Sequence, residues 1–138
     1  MILDTCALLW LASGDRQLSR SARKEINEAP AVYVSAISGF EIAVKAAKGK
    51  LKLPNPPQEW LEKVIGHHGL AVLPLELNVC IAAAQLPPIH ADPCDRFIIA
   101  AAKLHDLTVV TADEQFEKYG VTVMDSRSTR PTGSIKAQ

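Results

Sequence analysis

The sequence contains few cysteines, few aromatic side chains, no excess of either charge and no apolar run of membrane-spanning length. Its three cysteines, Cys6, Cys80 and Cys94, are odd in number and far apart, which argues against a disulfide framework and favours a reducing compartment. The first residues, Met-Ile-Leu-Asp, lack the basic and apolar regions of a signal peptide. We therefore expect a cytoplasmic protein with no membrane span.

The balance of charges limits how this chain can bind a polyanion. Fifteen Lys and Arg residues balance fifteen Asp and Glu residues, so the formal net charge is zero. A module that binds nucleic acid through its overall field usually has a basic excess. Any role with nucleic acid must therefore depend on a local site.

The spacing of apolar residues predicts an α/β fold. At 138 residues, with 5% aromatics, the chain fits one domain with an aliphatic core. Short β-branched runs predict strands near residues 2–3, 31–34, 70–73, 107–110 and 121–124, and segments with helical spacing lie between them. This alternation predicts a central parallel sheet of about five strands, flanked by helices on both faces. We expect the domain to span residues 1–125 and residues 126–138 to form a polar, flexible tail.

Four acidic residues fall where this fold would place a site. Asp4 ends the first strand, Asp113 follows the fourth, Asp95 lies in the first turn of a helix, and Glu41 lies in the helix after the second strand. Ligands of parallel sheets bind beyond the carboxyl ends of the strands. We therefore expect the four carboxylates to meet at that edge.

Capping offers a structural explanation for some of these acids. Asp4 is placed to cap the next helix. Glu41 follows Ser38 in a capping-box pattern and precedes Lys45 in a favourable ion-pair order. Against a purely structural role, Glu41 lies at the edge of an apolar stripe, where an idle carboxylate is unfavourable.

The last two acids are explained less well by capping. Asp92 followed by proline is a typical N-cap, which assigns Asp92 a mainly structural role and leaves Asp95 unexplained. Thr111 and Glu114 match a capping box by themselves, so Asp113 is predicted to be surplus to that cap. Asp95 and Asp113 are therefore the stronger candidates for chemistry.

Several carboxylates at one edge predict a metal site. They would repel one another and raise each other's pKa values unless a cation lay among them. Hard oxygen ligands suit Mg²⁺, with Mn²⁺ as the alternative. Such ions activate water and stabilise the leaving oxygen in phosphodiester cleavage. The metal would also supply the positive charge that the composition lacks.

Four sequence blocks resemble PIN-domain ribonuclease toxins of the VapC type. The blocks read LDTCALLW, VSAISGFEIAVK, LPPIHADPCDRFIIA and TVVTAD. The resemblance runs from Met1 to about Met124, with the blocks in family order. It departs from the family at Cys6, where His is frequent, and at Cys94, where Phe or another apolar residue is usual. Neither position is an acidic ligand, so the departures leave the expected activity unchanged.

The resemblance implies a PIN fold and a metal-dependent endoribonuclease toxin that hydrolyses RNA by metal-activated water, leaving a 5′-phosphate and a 3′-hydroxyl. It further implies a homodimer and inhibition by a cognate antitoxin protein of the VapB kind. The implied catalytic residues are Asp4, Glu41, Asp95 and Asp113, with Mg²⁺ held by Asp4, Asp95 and Asp113. Supporting roles fall to Thr5, Thr111, Asp92 and Arg96. Arg96 either orients the neighbouring acid, contacts phosphate or forms an internal ion pair.

Three lysines on or just after the helix of Glu41 are candidate RNA-binding residues. Lys45, Lys48 and Lys50 either guide the RNA backbone or form a solvated face.

Other protein classes make different demands on the same residues. A receiver or phosphatase that accepts phosphate on an aspartate needs paired acids after the first strand, and this sequence lacks them. A non-catalytic PIN-like module for dimerisation or partner binding stays open. A zinc site at His90 and Cys94 lacks a second matching pair, and no histidine stands out as a general base.

Overall fold

Five short strands form one parallel sheet at the centre of the molecule. The computed structural model describes residues 1–128. The strands are β1 (Ile2–Leu3), β2 (Tyr33–Ser35), β3 (Ala71–Leu73), β4 (Val109–Thr111) and β5 (Val123–Asp125). Their order in the sheet is β3-β2-β1-β4-β5, and every adjacent pair is parallel. The first strand is therefore central, with β2 and β4 on either side.

Helices connect the strands and cover both faces of the sheet. They are α1 (Thr5–Ser13), α2 (Arg20–Glu28), α3 (Ala36–Ala47), α4 (Pro57–His68), α5 (Leu77–Gln85), α6 (Pro93–His105) and a short 3₁₀ helix (Glu114–Tyr119). The predicted α/β architecture is confirmed. The short helix between β4 and β5 has 3₁₀ rather than α-helical turns.

The central strand separates two apolar layers. Successive side chains of a strand point to opposite faces, and both residues of β1 are fully buried. Leu3 packs in a cluster with Leu8 of α1 and Val64 of α4, whereas Ile2 packs in a second cluster with Ile98 of α6. Burial on both faces fixes β1 in the core, so the residue that follows it has a well-defined position.

The start of α3 differs from the prediction. Ser35, rather than Ser38, is the N-cap, and its hydroxyl accepts a hydrogen bond from the Ile37 N–H at 3.1 Å. Ser38 lies inside the helix, where its hydroxyl is buried and 2.8 Å from that of Thr5. The predicted capping box between Ser38 and Glu41 is therefore wrong, and Glu41 does not cap α3.

The residue after β5, Ser126, is hydrogen-bonded to the neighbouring strand β4. Ser126 is fully buried, and its N–H donates to the carbonyl of Thr111 at 3.0 Å. Residues 129–138, which make up most of the predicted tail, lie outside the described residues, so the domain boundary stays a prediction. None of the helices within residues 1–128 has the length and apolar character needed to cross a membrane.

Candidate active site

Asp4 links the end of β1 to two other elements. Its Oδ1 accepts from the Ala7 N–H at 2.7 Å and so caps α1. Its Oδ2 accepts from the hydroxyl of Thr111, at the end of β4, at 2.5 Å. The structural role considered for Asp4 is therefore real, but it uses one oxygen only. The second oxygen faces the neighbouring strand end.

Asp113 also combines a cap with a second contact. Its Oδ1 accepts from the Gln115 N–H at 2.9 Å and caps the 3₁₀ helix. Thr111 does not cap this helix, because its Oγ1 accepts from the Asp113 N–H at 3.0 Å while donating to Asp4. The prediction that Asp113 is surplus to the cap is therefore wrong. Oδ2 of Asp113 remains available for another partner.

That partner is His90, a residue that the sequence did not single out for the site. Nε2 of His90 lies 2.8 Å from Oδ2 of Asp113 and 3.0 Å from Oδ2 of Asp95. Nδ1 of the ring accepts from the Asp92 N–H at 3.2 Å, which places the proton of the neutral ring on Nε2. A positive hydrogen therefore lies between the Asp95 and Asp113 carboxylates.

The loop before α6 positions His90 firmly. The hydroxyl of Tyr119 accepts from the His90 N–H at 2.7 Å and donates to the Pro87 carbonyl at 2.8 Å. In the sequence, the one indication of this role is that His90 lies five positions before Asp95 in the block LPPIHADPCDRFIIA. The contact with Asp113 spans 23 residues and depends on the folded sheet, so spacing alone did not reveal it.

Glu41 reaches the same site from α3. Its Oε2 pairs with Nζ of Lys45 at 3.1 Å, as the ion-pair order predicted. Its Oε1 is buried and has no hydrogen-bond partner among residues 1–128. A buried oxygen without a partner is unfavourable, so Oε1 fits a ligand or a water at this position.

These carboxylates line one cavity. It has a volume of ≈ 320 Å³ and lies at the carboxyl ends of β1 and β4. The structure brings the four predicted acids together there, with Asp92 as a fifth. The lining residues are Asp4, Thr5, Cys6, Trp10, Glu41, Lys45, Asp92, Asp95, Ala112 and Asp113. Lys45 is the one lysine or arginine on this lining, taken over the part of the chain that the structure describes.

The electrostatics favour binding of a cation. Burial raises the pKa of Asp4 from 3.8 to about 6, with smaller contributions from the charges of Asp113 and Glu41. Burial also raises the pKa of Asp95 to about 7, and the charge of Asp92 adds to that increase. The carboxylates are therefore hard to ionise together, and a divalent ion among them would remove that penalty. The atoms that His90, Asp95 and Asp113 offer lie within 4.8 Å of one another.

Asp92 caps α6 as predicted, since its side chain accepts from the Cys94 N–H at 2.9 Å. Cys6 lines the cavity and Cys94 does not, and both thiols are poor nucleophiles. Burial raises the pKa of Cys6 and that of Cys94 to about 11, so both stay protonated near neutral pH. Among the described residues, His90 contacts Asp95 and Asp113 rather than pairing with Cys94.

Arg96 has a different role from those predicted. Its guanidinium donates to the carbonyls of Ala83 at 2.9 Å, Leu86 at 2.7 Å and Pro87 at 2.9 Å. It forms no ion pair with any of the first 128 residues. These carbonyls end α5 and open the loop to α6. Arg96 therefore fastens the loop that carries His90, and it contacts neither an acid nor the cavity.

The three candidate RNA-binding lysines are not equivalent. Lys45 lines the cavity and is paired with Glu41. Lys48 and Lys50, beyond the end of α3, are exposed and do not line it. Their contact with RNA stays a prediction.

Comparison with known proteins identifies the class. The PIN-domain family model matches residues 1–121, which is most of the chain, and the chain therefore belongs to the PIN-domain family. The resemblance noted in the sequence is confirmed. Ribonuclease VapC22 of Mycobacterium tuberculosis is 30% identical over 120 residues, which is 86% of this chain and 91% of that protein.

Solved structures agree with this fold. DNA-bound VapBC from Salmonella typhimurium matches with a TM-score of 0.68 and 24% identity, over 91% of this chain and 96% of the other. A toxin-antitoxin complex from Klebsiella pneumoniae matches with a TM-score of 0.64 and 20% identity over the same shares. At these identities the likeness establishes the fold alone.

Proposed function

We propose that this protein is a Mg²⁺-dependent endoribonuclease and the toxin of a toxin–antitoxin pair. The observation that carries the proposal is the convergence of Asp4, Glu41, Asp95 and Asp113 on one cavity at the carboxyl edge of the sheet. The similarity to a named ribonuclease over 86% of the chain supports the substrate class. Mn²⁺ is the alternative ion.

The donor set suits a hard divalent cation. Asp4, Asp95 and Asp113 would hold the ion, each through an Oδ2 atom whose present partner is the side chain of Thr111 or His90. Oε1 of Glu41, buried and without a partner among the described residues, would orient water or add a ligand. A bound ion would lower the pKa of a coordinated water and neutralise charge on the phosphate.

The residues of the chain prepare this site for hydrolysis. Thr111 and Ala7 fix the Asp4 carboxylate from two sides, so little reorganisation is needed when substrate enters. Water adds through its oxygen to phosphorus while the bond from phosphorus to the 3′ oxygen breaks. One water proton goes to that oxygen, which leaves a 3′-hydroxyl and a 5′-phosphate. Lys45 lies at the cavity wall, where its charge favours the phosphate.

The protein partner in this proposal is a cognate antitoxin of the VapB kind. The similarity to a structure described as a toxin-antitoxin complex supports it. A homodimer is also proposed. The apolar stripes of α1 and α4 lie in the core, as Leu8, Leu11 and Val64 are buried, whereas Leu77 of α5 and Phe40 of α3 are 76% and 61% exposed. These two exposed side chains are the better candidates for a protein contact.

Cleavage by matched variants tests the function. The purified protein, Asp4→Asn and Asp106→Asn are incubated with structured cellular RNA in Mg²⁺, in Mn²⁺ and in EDTA. Asn keeps the shape of Asp4 and removes its charge. Asp106 lies at the end of α6 with φ +53°, a conformation that Asn tolerates, and it does not line the cavity.

We expect metal-dependent cleavage by the wild type and by Asp106→Asn, a loss of at least a hundredfold in Asp4→Asn, and 5′-phosphate ends. Equal cleavage by all three proteins would assign the activity to a contaminant. No cleavage by any of them, with antitoxin binding retained, would favour a non-catalytic PIN module instead.

A further inference from the structure

A second cavity lies beside the loop that joins α1 to α2. Its volume is ≈ 670 Å³, about twice that of the active-site cavity. We call it the basic cleft, because three of its six lining residues are arginines. The lining residues are Gly14, Asp15, Arg16, Leu18, Arg20 and Arg23.

The guanidinium groups of the basic cleft are available to a ligand. Arg16 and Arg20 are exposed, and neither is ion-paired with any residue from 1 to 128. Arg23 is half-buried, and its Nη2 donates to the Asp15 carbonyl at 3.2 Å. The cleft therefore carries one anchored and two uncommitted positive charges, beside the single carboxylate of Asp15.

Main-chain hydrogen bonds tie the basic cleft to the active site. The Asp15 N–H donates to the carbonyl of Trp10 at 3.0 Å, and Trp10 lines the active-site cavity. On another side, the Ser19 N–H donates to the Ser126 carbonyl at 2.9 Å, and the Ser126 N–H donates to Thr111. The first route ends in α1 at a residue of the active-site cavity, and the second ends at the last residue of β4.

A fourth guanidinium lies against the active-site wall. Nη2 of Arg127 donates to the carbonyl of Ala112 at 3.0 Å, and Ala112 lines the active-site cavity. Nε of Arg127 lies 3.5 Å from Asp125 in an exposed pair, which is weak in water. Arg127 does not line the cavity, but it places a positive charge next to a residue that does.

The active-site cavity creates the need for such a surface. Five carboxylates line it, against Lys45, and Lys45 is already paired with Glu41. A bound metal would draw one phosphate inward, but the neighbouring phosphates of the RNA strand would still meet acidic walls. Since the net charge of the chain is zero, their attraction must come from a local cluster of cations.

We propose that the basic cleft binds the backbone phosphates of RNA next to the phosphate that is cleaved. This inference rests on the proposed ribonuclease function and adds the path of its substrate. Arg16 and Arg20 contact phosphates directly, and Arg23 holds the Asp15 backbone that shapes the cleft. Guanidinium groups bind phosphate oxygens in a fork geometry without recognising bases. Binding by the cleft is therefore independent of sequence.

The test separates binding from cleavage. Arg16→Ala/Arg20→Ala is introduced into the Asp4→Asn protein, and binding of a fluorescently labelled single-stranded RNA is measured by anisotropy in EDTA over a range of salt concentrations. Two lost phosphate contacts should lower the slope of log K against log salt by about 1.4. Lys63→Ala/Lys118→Ala removes the same charge from exposed positions outside both cavities and should leave the slope unchanged.

A slope that is equal in the arginine and lysine variants would overturn the proposal. Binding of poly-L-glutamate with the same arginine dependence, without binding of RNA, would assign the cleft to an acidic protein and also overturn it. In the protein with Asp4 intact, we expect Arg16→Ala/Arg20→Ala to raise KM for RNA and preserve kcat. If arginine-dependent RNA binding persists while the wild type cleaves no RNA, the ribonuclease function fails and the cleft is supported.

Discussion

The hydroxyl of Thr111 donates a 2.5 Å hydrogen bond to Oδ2 of Asp4 across 107 residues of sequence. The bond joins the ends of β1 and β4, which are hydrogen-bonded neighbours in the sheet. It opposes the effect of burial by lowering the pKa of Asp4. One threonine therefore both orients a carboxylate of the proposed catalytic site and favours its charged form.

Replacing this threonine should impair the site without unfolding the chain. Thr111→Val keeps the volume and removes the donor, so the pKa of Asp4 should rise further above 6. We expect about a tenfold loss of kcat near pH 7, since a hydrogen bond to a charged group contributes roughly 1.5 kcal/mol or more. The rate–pH profile should shift to higher pH. Thr111→Ser keeps the hydroxyl and should have the kcat and the rate–pH profile of the wild type. If the rate–pH profile of Thr111→Val equalled that of the wild type, Thr111 would not control the pKa of Asp4.

The metal-free protein should become more stable on acidification. Burial raises the pKa of Asp4 to about 6 and of Asp95 to about 7, from 3.8 in each case. The folded state therefore binds more protons than the unfolded state between about pH 4 and 7, and stability falls as pH rises through that window. The difference in Tm between Asp4→Asn and the wild type, in EDTA, should grow from pH 5 to pH 8. A Tm difference that shrinks from pH 5 to pH 8 would contradict the raised pKa of Asp4.

His90 should compete with the metal rather than bind it. The Asp92 N–H holds Nδ1 as an acceptor, so Nε2 carries a proton and fills the space between Asp95 and Asp113. His90→Ala should lower the half-saturating Mg²⁺ concentration about tenfold, because hydrogen bonds to charged groups of roughly 1.5 kcal/mol are lost. The readout is cleavage rate against Mg²⁺ concentration. A higher half-saturating value would make His90 a ligand instead.

Arg96 should matter for stability, and for activity only through the loop. Its guanidinium satisfies carbonyls of Ala83, Leu86 and Pro87, and the single ammonium of Lys cannot reproduce that fan of donors. Arg96→Lys should destabilise the fold by about 2 kcal/mol in urea unfolding. Arg20→Lys, at an exposed position with no ion pair in residues 1–128, is the control. Equal stability of the two variants would show that the carbonyl contacts are unimportant.

The sheet and the acidic edge were predictable because they depend on local patterns. Apolar runs identify the strands, and a parallel sheet gathers the residues that follow them at one edge, which brought Asp4 and Asp113 together as expected. Capping was harder to assign. The sequence leaves open whether the hydroxyl of Ser38 bonds to a nearby backbone N–H or to a distant side chain. In the structure it lies in a buried contact with the hydroxyl of Thr5.

Residues whose role depends on distant backbone were not predictable. His90 reaches Asp113 across 23 positions, and Arg96 binds carbonyls 9 to 13 positions earlier in a loop whose shape no periodicity encodes. The basic cleft depends in the same way on the attachment of Ser19 to Ser126. Local spacing therefore identified the acids but missed what holds and surrounds them.

Direct binding of Mn²⁺ to the acidic cavity tests the central claim. The loss of the free Mn²⁺ signal in electron paramagnetic resonance is measured near pH 7.5 for the wild type, Asp4→Asn, Asp95→Asn and Asp106→Asn. We predict binding by the wild type and by Asp106→Asn, and at least tenfold weaker binding by the two cavity variants. Equal binding by all four proteins would place the metal elsewhere and contradict the account.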